Sequence, residues 1–271
     1  MKFDYFPMLV MSGALCTAIY GCNSRSVPND PAPITISGAL NDTGIVQCSG
    51  LDDPQLSCPQ ADLPNQDAEF GRDAKTSSLT KSGAGFAGFD WTKLDATGKP
   101  LTTQSAAWSA DGDESSGTRW SCVQDNVTKL VWEVKESDSA HPRYAEHTYT
   151  WYDERATHNG GDAGTKNGGT CGTEVCDTQG FVSWANSNAL CGFNDWRIPS
   201  VMELTSIVAR GKELPAIDTD YFPNTSQPRF FTAQTNAEIP EMAWYIYFSN
   251  GSSSYTYKRD PSQLRLVRGG Q

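Results

Sequence analysis

A turn, a capping signal and an apolar helical face are written into consecutive residues at Cys191–Gly211, CGFNDWRIPSVMELTSIVARG, and the rest of the chain is placed relative to this stretch. Ser200 stands three residues before Glu203. At that spacing the serine side chain accepts from the third amide of a helix while the glutamate reaches back to the serine amide. Pro199 biases Ile198 to extended geometry, so Trp196–Ile198 reads as the end of a strand or a tight loop. Leu204, Ile207 and Val208 recur at helical spacing, and Gly211 offers the residue that accepts a left-handed C′ conformation. A short helix docked by one side is expected.

The first 21 residues carry Lys2, then an apolar run from Phe6 to Tyr20, and Gly21 precedes Cys22. A small residue before a cysteine marks a bacterial lipoprotein signal, with Cys22 as the acylated N-terminus of the mature chain. The rivals are a signal cut elsewhere or a short membrane anchor, although about 15 apolar residues fall short of the roughly 20 that span a bilayer. Residues 22–38 contain three prolines and few large apolar groups, the composition of a tether. Asn23 follows the cysteine where a retention signal would place Asp, which points to the outer membrane of a Gram-negative bacterium.

Once Cys16 and Cys22 are set aside, Cys48, Cys58, Cys122, Cys171, Cys176 and Cys191 remain. In an exported chain six cysteines imply up to three disulfides, and 15 connectivities are open. Cys48 with Cys58 and Cys171 with Cys176 would close short loops, leaving Cys122 with Cys191 as a long staple. A zinc site shared with His158 is the alternative, but no C-x-x-C or H-x-x-x-H pair occurs. No metal and no cofactor are expected.

Formal net charge is −11. Such a surface disfavours nucleic acid and anionic membranes. Residues 22–118 hold 6 basic and 13 acidic side chains and residues 119–196 hold 6 and 11, whereas residues 197–271 are nearly balanced at 8 and 7. Residues 39–118, rich in Gly, Asp, Ser and Thr, read as an irregular N-terminal subdomain or arm. Asp111-Gly112-Asp113-Glu114 lacks the distal ligands of a calcium loop and reads as a solvated turn. From Arg119 the apolar density rises. Trp120–Asn126 and Leu130–Val134 form a hairpin pattern, Tyr149–Tyr152 an aromatic strand, and Asp177 caps a helix carrying Phe181, Trp184 and Ala185. Ala243–Phe248 alternates and meets a Ser249-Asn250-Gly251 turn, with a return strand at Ser254–Lys258 and a last strand at Leu264–Val267.

Several of these residues carry a resemblance. Trp120-Ser121-Cys122-Val123 with Trp132 and Glu133, Cys191-Gly192 with Asp195-Trp196-Arg197-Ile198-Pro199 and Glu203-Leu204, and the closing Arg265-Leu266-Val267-Arg268-Gly269-Gly270 are similar to the Lcl C-terminal domain family over residues 119–271. Two positions depart from it: Lys129, where the family often has Gly, and Phe230-Phe231-Thr232-Ala233, where it often has an aromatic followed by Trp and serines. The namesake of the family is a surface adhesin whose C-terminal domain binds glycosaminoglycans as a trimer, so the resemblance implies an adhesin-like recognition domain and a possible homotrimer. Trp196-Arg197-Ile198-Pro199 and Val267-Arg268-Gly269-Gly270 also resemble, more distantly, the formylglycine-generating branch of the C-type-lectin-like folds. The implied class is α+β, a C-type-lectin-like domain with an antiparallel sheet, two short helices and long disulfide-pinned loops.

Catalysis is not expected. That distant relative uses a late cysteine pair, and no cysteine follows Cys191. His141, His147 and His158 share no helical face and read as loop histidines. The candidate ligand-binding residues are Tyr245, Tyr247, Tyr255 and Tyr257, as an aromatic platform for sugar rings, and Lys258, Arg259, Arg265 and Arg268, as a cationic patch for sulfated glycans. The expected function is non-enzymatic recognition of a glycan or other envelope polymer. The alternatives are an envelope scaffold for protein partners and an oxidoreductase of the formylglycine-generating type.

Overall fold

Short alternating runs separated by polar turns assemble into two antiparallel sheets. The computed structural model describes residues 41–226 and 228–269, which belong to one compact unit. The expected signal peptide 1–21, Cys22 and the tether 22–38 lie outside the described residues. The first sheet has the order β1-β2-β3-β7, from Trp91–Leu94, Cys122–Asp125, Val131–Glu133 and Val267–Arg268. The second has the order β4-β5-β6, from Arg229–Thr235, Met242–Tyr247 and Ser252–Tyr257. Two helices, α1 at Thr178–Ser187 and α2 at Val201–Thr205, complete an α+β unit. Among the described residues no helix is long and apolar enough to cross a membrane.

The first sheet is buried on both faces, whereas the second is buried mainly through β4 and carries exposed residues along β5 and β6. In β2 and β3, Val123 and Trp132 enter one apolar cluster with Leu204, Ile207, Phe222, Phe230, Ile246 and Phe248. The alternate residues Cys122 and Val131 enter a second, with Tyr149, Trp151, Phe181, Phe231, Leu264 and Leu266. This alternation is the period-2 geometry of a strand. It also carries charged residues inward: Glu133 is fully buried although it lies in a three-residue strand.

The three disulfides are Cys48–Cys58, Cys122–Cys191 and Cys171–Cys176. The long one ties β2 to the turn that follows α1. Asp177 caps α1 by accepting from the Gly180 amide at 2.7 Å. The capping box of α2 is present in both directions, with Glu203 N donating to Ser200 Oγ and Ser200 N to Glu203 Oε2.

The structure differs from the sequence reading in four places. Helix α2 stops at Thr205 rather than near Gly211, because the Ser206 hydroxyl and amide both turn back onto the Glu203 carbonyl. Ile207 and Val208 reach the core from the turn beyond it. Tyr149–Tyr152 is no continuous strand: Tyr149 bridges Ser262, Thr150 bridges Asp177 and Tyr152 bridges Gly164, so each residue meets a different segment. The last strand is only Val267–Arg268, with Leu264–Leu266 buried before it. Finally, residues 41–118 are irregular but not a separate arm. They supply β1, pair Leu94 with Cys122, and send Phe89, Trp91 and Leu101 into the first core. Asn41 Nδ2 donates to Asp125 Oδ2 at 2.5 Å, and the Phe86 amide to Asp218 Oδ2 at 2.7 Å.

Lys129 closes the β2–β3 turn at φ +65°. A left-handed backbone costs a side-chain-bearing residue roughly 1–2 kcal/mol, which glycine avoids. Lys129→Gly is therefore expected to raise stability by up to about 1 kcal/mol, the unfolded-state entropy of glycine offsetting part of the gain. A chemical denaturation midpoint at or below that of the parent would contradict this.

Candidate ligand-binding surface

The register of the second sheet decides where the four candidate tyrosines go. Trp244 lies opposite Tyr255 and Met242 opposite Tyr257, whereas Tyr245 lies opposite Ser254 and Tyr247 opposite Ser252. Directly opposed residues share a face. Tyr255 and Tyr257 therefore lie on one face with Trp244, and Tyr245 and Tyr247 on the other. The single platform expected from the sequence is two separate surfaces, because the hairpin register offsets the two Tyr-x-Tyr pairs by one residue.

The first surface is a strip. Trp244 and Tyr255 meet edge to face with centroids 5.4 Å apart, and the Arg259 guanidinium lies 4.0 Å from the centre of the Tyr257 ring. Tyr255 and Tyr257 are 44% and 36% exposed. It borders β6, the outer strand of the sheet, which among the described residues has no neighbouring strand on its far side.

The second is a shallow depression of about 540 Å³ lined by Pro228, Arg229, Tyr245 and Tyr247. Strand pairing sets Arg229 opposite Tyr247 and Phe231 opposite Tyr245, so the guanidinium and both rings project from the same face. Phe231 is buried in the second core beneath them, and Tyr245 packs partly against it. Arg229 is fixed: Nη1 donates to Thr256 Oγ1 at 2.9 Å, and its guanidinium carbon lies 5.8 Å from the centre of the Tyr245 ring. The result is a rigid cation beside two phenol rings, one of them, Tyr247, exposed. Such a surface stacks apolar ring faces and hydrogen-bonds hydroxyl or carboxylate groups.

The expected cationic patch does not assemble. Lys258 and Arg265 are 1% and 0% exposed. Lys258 Nζ donates to the carbonyls of Asn159 and Asp162 at 2.8 and 2.5 Å and sits 4.2 Å from the centre of the Trp151 ring. Arg265 donates to Glu133 O at 2.7 Å and Thr225 Oγ1 at 2.8 Å, between the Phe222 and Phe230 rings. Burial lowers both groups, Lys258 below its usual value and Arg265 to about 10. Arg268 is bound to Asp195 by two hydrogen bonds of 2.9 Å. Of the four, Arg259 alone is exposed. Clustering in sequence indicated a patch; the period-2 alternation and the demand of buried loop carbonyls for donors turned two of the cations inward.

Two acidic groups tempt a metal assignment. Asp113 spends Oδ1 on Ser115 and Ser116 within its own turn. Asp42, Asp67 and Asp73 bring ligand atoms within 4.8 Å of one another. These carboxylates already serve the chain: Asp42 accepts from the Arg72 and Asp73 amides, Asp73 from those of Gly44 and Gly88, and Asp67 from Thr43 Oγ1. They latch the first described residues to the segment around Arg72. His141 and His147 are both held below the usual histidine value, burial being the largest cause in each. No carboxylate is hydrogen-bonded to either ring among the described residues.

A family model described as the Lcl C-terminal domain matches residues 121–268. The chain belongs to this family. Neither a curated protein nor a solved structure matches it. The matched segment opens one residue before β2 and closes on the last residue of β7, so the Lcl C-terminal domain comprises both sheets except β1. The preceding segment adds β1 to the outer edge of β2 and thereby covers it.

Proposed function

We propose that the chain is an adhesin-like, non-enzymatic recognition domain of an envelope lipoprotein, anchored through Cys22 to the outer membrane, and that its ligand is a glycan. The observation that carries this reading is the depression of Arg229, Tyr245 and Tyr247, a fixed guanidinium beside two rings on a sheet braced by a core. Membership of the Lcl C-terminal domain family supports the adhesin-like class. A C-type-lectin-like scaffold fits the arrangement of two short helices and disulfide-pinned loops around antiparallel sheet. All six cysteines among the described residues are spent in disulfides, which speaks against an oxidoreductase that needs a free late pair. The chain's ligands are taken one by one at the Tyr247 surface or by avidity in a homotrimer.

The test is a glycan array with the detergent-solubilised full chain. Binding is expected, and Tyr247→Ala should weaken it about tenfold, equivalent to ~1.4 kcal/mol. Binding that survives Tyr247→Ala and Arg229→Ala unchanged would place the glycan elsewhere. The scaffold reading has one observation in its favour, the exposed Tyr255 and Tyr257 with the half-buried Trp244, a strip beside the outer edge of β6. An array with no signal, together with a crosslinked protein lost on Tyr255→Ser, would establish that reading instead. Release of a Cys22→Ser chain from membranes tests the anchor separately.

A further inference from the structure

A second cavity lies beside α1, along Trp184. It is a groove of about 580 Å³ between α1, the loop closed by Cys171–Cys176 and the Tyr152–Lys166 segment. Its aromatic wall is stiff. Trp184 stacks parallel on Phe181, with centroids 5.6 Å apart and planes 2° from parallel, and Phe181 stacks in turn on the buried Tyr149 at 4.9 Å. The half-buried indole is thus backed by the core and lines the groove. The opposite wall is equally fixed: a Cβ added at Gly180 would lie 2.6 Å from the Val175 carbonyl oxygen, so the disulfide loop rests directly on the first turn of the helix.

The polar groups around this wall define the ligand. Glu154 and Glu174 are exposed and line the groove with a single cation, Lys166. The Lys166 ammonium lies 5.5 Å from the centre of the Tyr152 ring. Glu154 Oε1 accepts only the neutral Gln179 amide, and Glu174 forms no ion pair among the described residues. Asp177 is consumed by the Gly180 and Asn167 amides. A flat indole face matches the C–H face of a pyranose, and neutral side chains from α1, Ser183 and Ser187, match its hydroxyls. An excess of free carboxylates in a chain of net charge −11 attracts amines and repels sulfate or uronate.

We propose that this groove is a binding site for an oligosaccharide of amine-bearing hexopyranoses, with one ring stacked on Trp184 and its ammonium held by Glu154 and Glu174. The site is separate from the Arg229, Tyr245 and Tyr247 surface and does not depend on it.

Calorimetry on the full chain with a glucosamine hexamer, its N-acetylated counterpart, heparin and a lysine hexapeptide tests the assignment. The amine-bearing hexamer is expected to bind at least about tenfold tighter than the N-acetylated one, a preference that shrinks to under about threefold in Glu154→Gln/Glu174→Gln. Trp184→Ala should lower affinity about tenfold while Tyr247→Ala leaves it unchanged, which keeps this result distinct from that of the sheet surface. Should Trp184→Ala fail to fold, the exposed Glu154→Gln/Glu174→Gln pair still decides the charge preference and Trp184→Leu the stacking. Equal affinity for the two hexamers, tighter binding of heparin, no binding of the amine-bearing hexamer, or a peptide bound as tightly as the sugar would each overturn the proposal.

Discussion

Lys135→Met should destabilise the protein by about 3–5 kcal/mol, the cost typical of removing one member of a buried ion pair. Lys135 Nζ lies 2.9 Å from Glu133 Oε1, and both side chains are buried. With the ammonium gone, the carboxylate would keep the Leu266 amide but no cation within hydrogen-bonding range. Replacing both, as Glu133→Leu/Lys135→Met, removes the two members of the pair together, and Arg265 keeps its hydrogen bonds to the residue 133 carbonyl and Thr225 Oγ1. The double variant is expected to fall within roughly 2 kcal/mol of the parent, and a denaturation cycle measures the coupling directly. Burial pushes Lys135 down to about 8, with Glu133 opposing that shift. Between about pH 8 and the unfolded value of 10.5 the unfolded chain therefore binds the extra proton, so this group's contribution makes stability rise with pH. Tyr149 and Tyr221, both raised mainly by burial, act in the opposite sense above their ordinary value of 10. The comparison belongs between pH 7 and pH 9, where the parent should gain relative to Lys135→Met. A single variant as stable as the double would show that Glu133 is not held as a buried carboxylate.

What the sequence revealed and what it hid follow from the range of the interactions. Ser200 with Glu203 and Asp177 with Gly180 are local, and both caps form as their spacing dictates. The cysteine pairs that close short loops were likewise legible, and the remaining pair followed. Strand identity at Val131–Glu133 and Met242–Tyr247 was visible in alternation, but register was not. Whether Tyr247 shares a face with Tyr255 depends on a hairpin pairing that a shift of one residue reverses. Burial of Lys258 and Arg265 was hidden for a related reason. Their partners are carbonyls of Asn159, Asp162 and Glu133, distant in sequence and carrying no side-chain signal. Trp91–Leu94 has too short a pattern to announce that it closes a sheet begun at Cys122. The groove beside Trp184 has no local signal, since three-residue spacing from Phe181 does not tell a core ring from one that stacks on the core half-buried, as Trp184 does.

Glu203→Ala is expected to cost about 3–5 kcal/mol, although the residue lies in a helix of only five residues. Its carboxylate is fully buried and receives Arg197 twice, at 2.8 and 2.6 Å, as well as the Ser200 amide at 2.8 Å. Arg197 continues to the Gly269 carbonyl at 2.9 Å, and its backbone exchanges hydrogen bonds with Val267 at the end of the first sheet. Next to it, Ala233 of β4 donates to the Pro199 carbonyl, and Gln234 accepts from the Val201 amide. The carboxylate thus ties the start of α2, through Arg197, to the end of the first sheet, while the backbone on either side of Ser200 meets β4. Burial alone would raise its pKa, but the Arg197 hydrogen bonds and the capping amide outweigh that and hold it below the usual 4.5. The folded value is below the unfolded one, so its contribution is complete above about pH 4.5 and is lost as pH falls through the lower folded value. Asp153 and Asp195 are also lowered and titrate in the same direction, so the readout is the difference between the parent and Glu203→Gln. That difference should be largest near pH 7 and shrink towards pH 3. Arg197 is 18% exposed and regains some water in the variant, which sets the expected cost nearer the lower bound. A loss under about 1 kcal/mol, the value of a simple N-cap, would reduce Glu203 to the capping of a single helix and remove it as the joint between α2 and the first sheet.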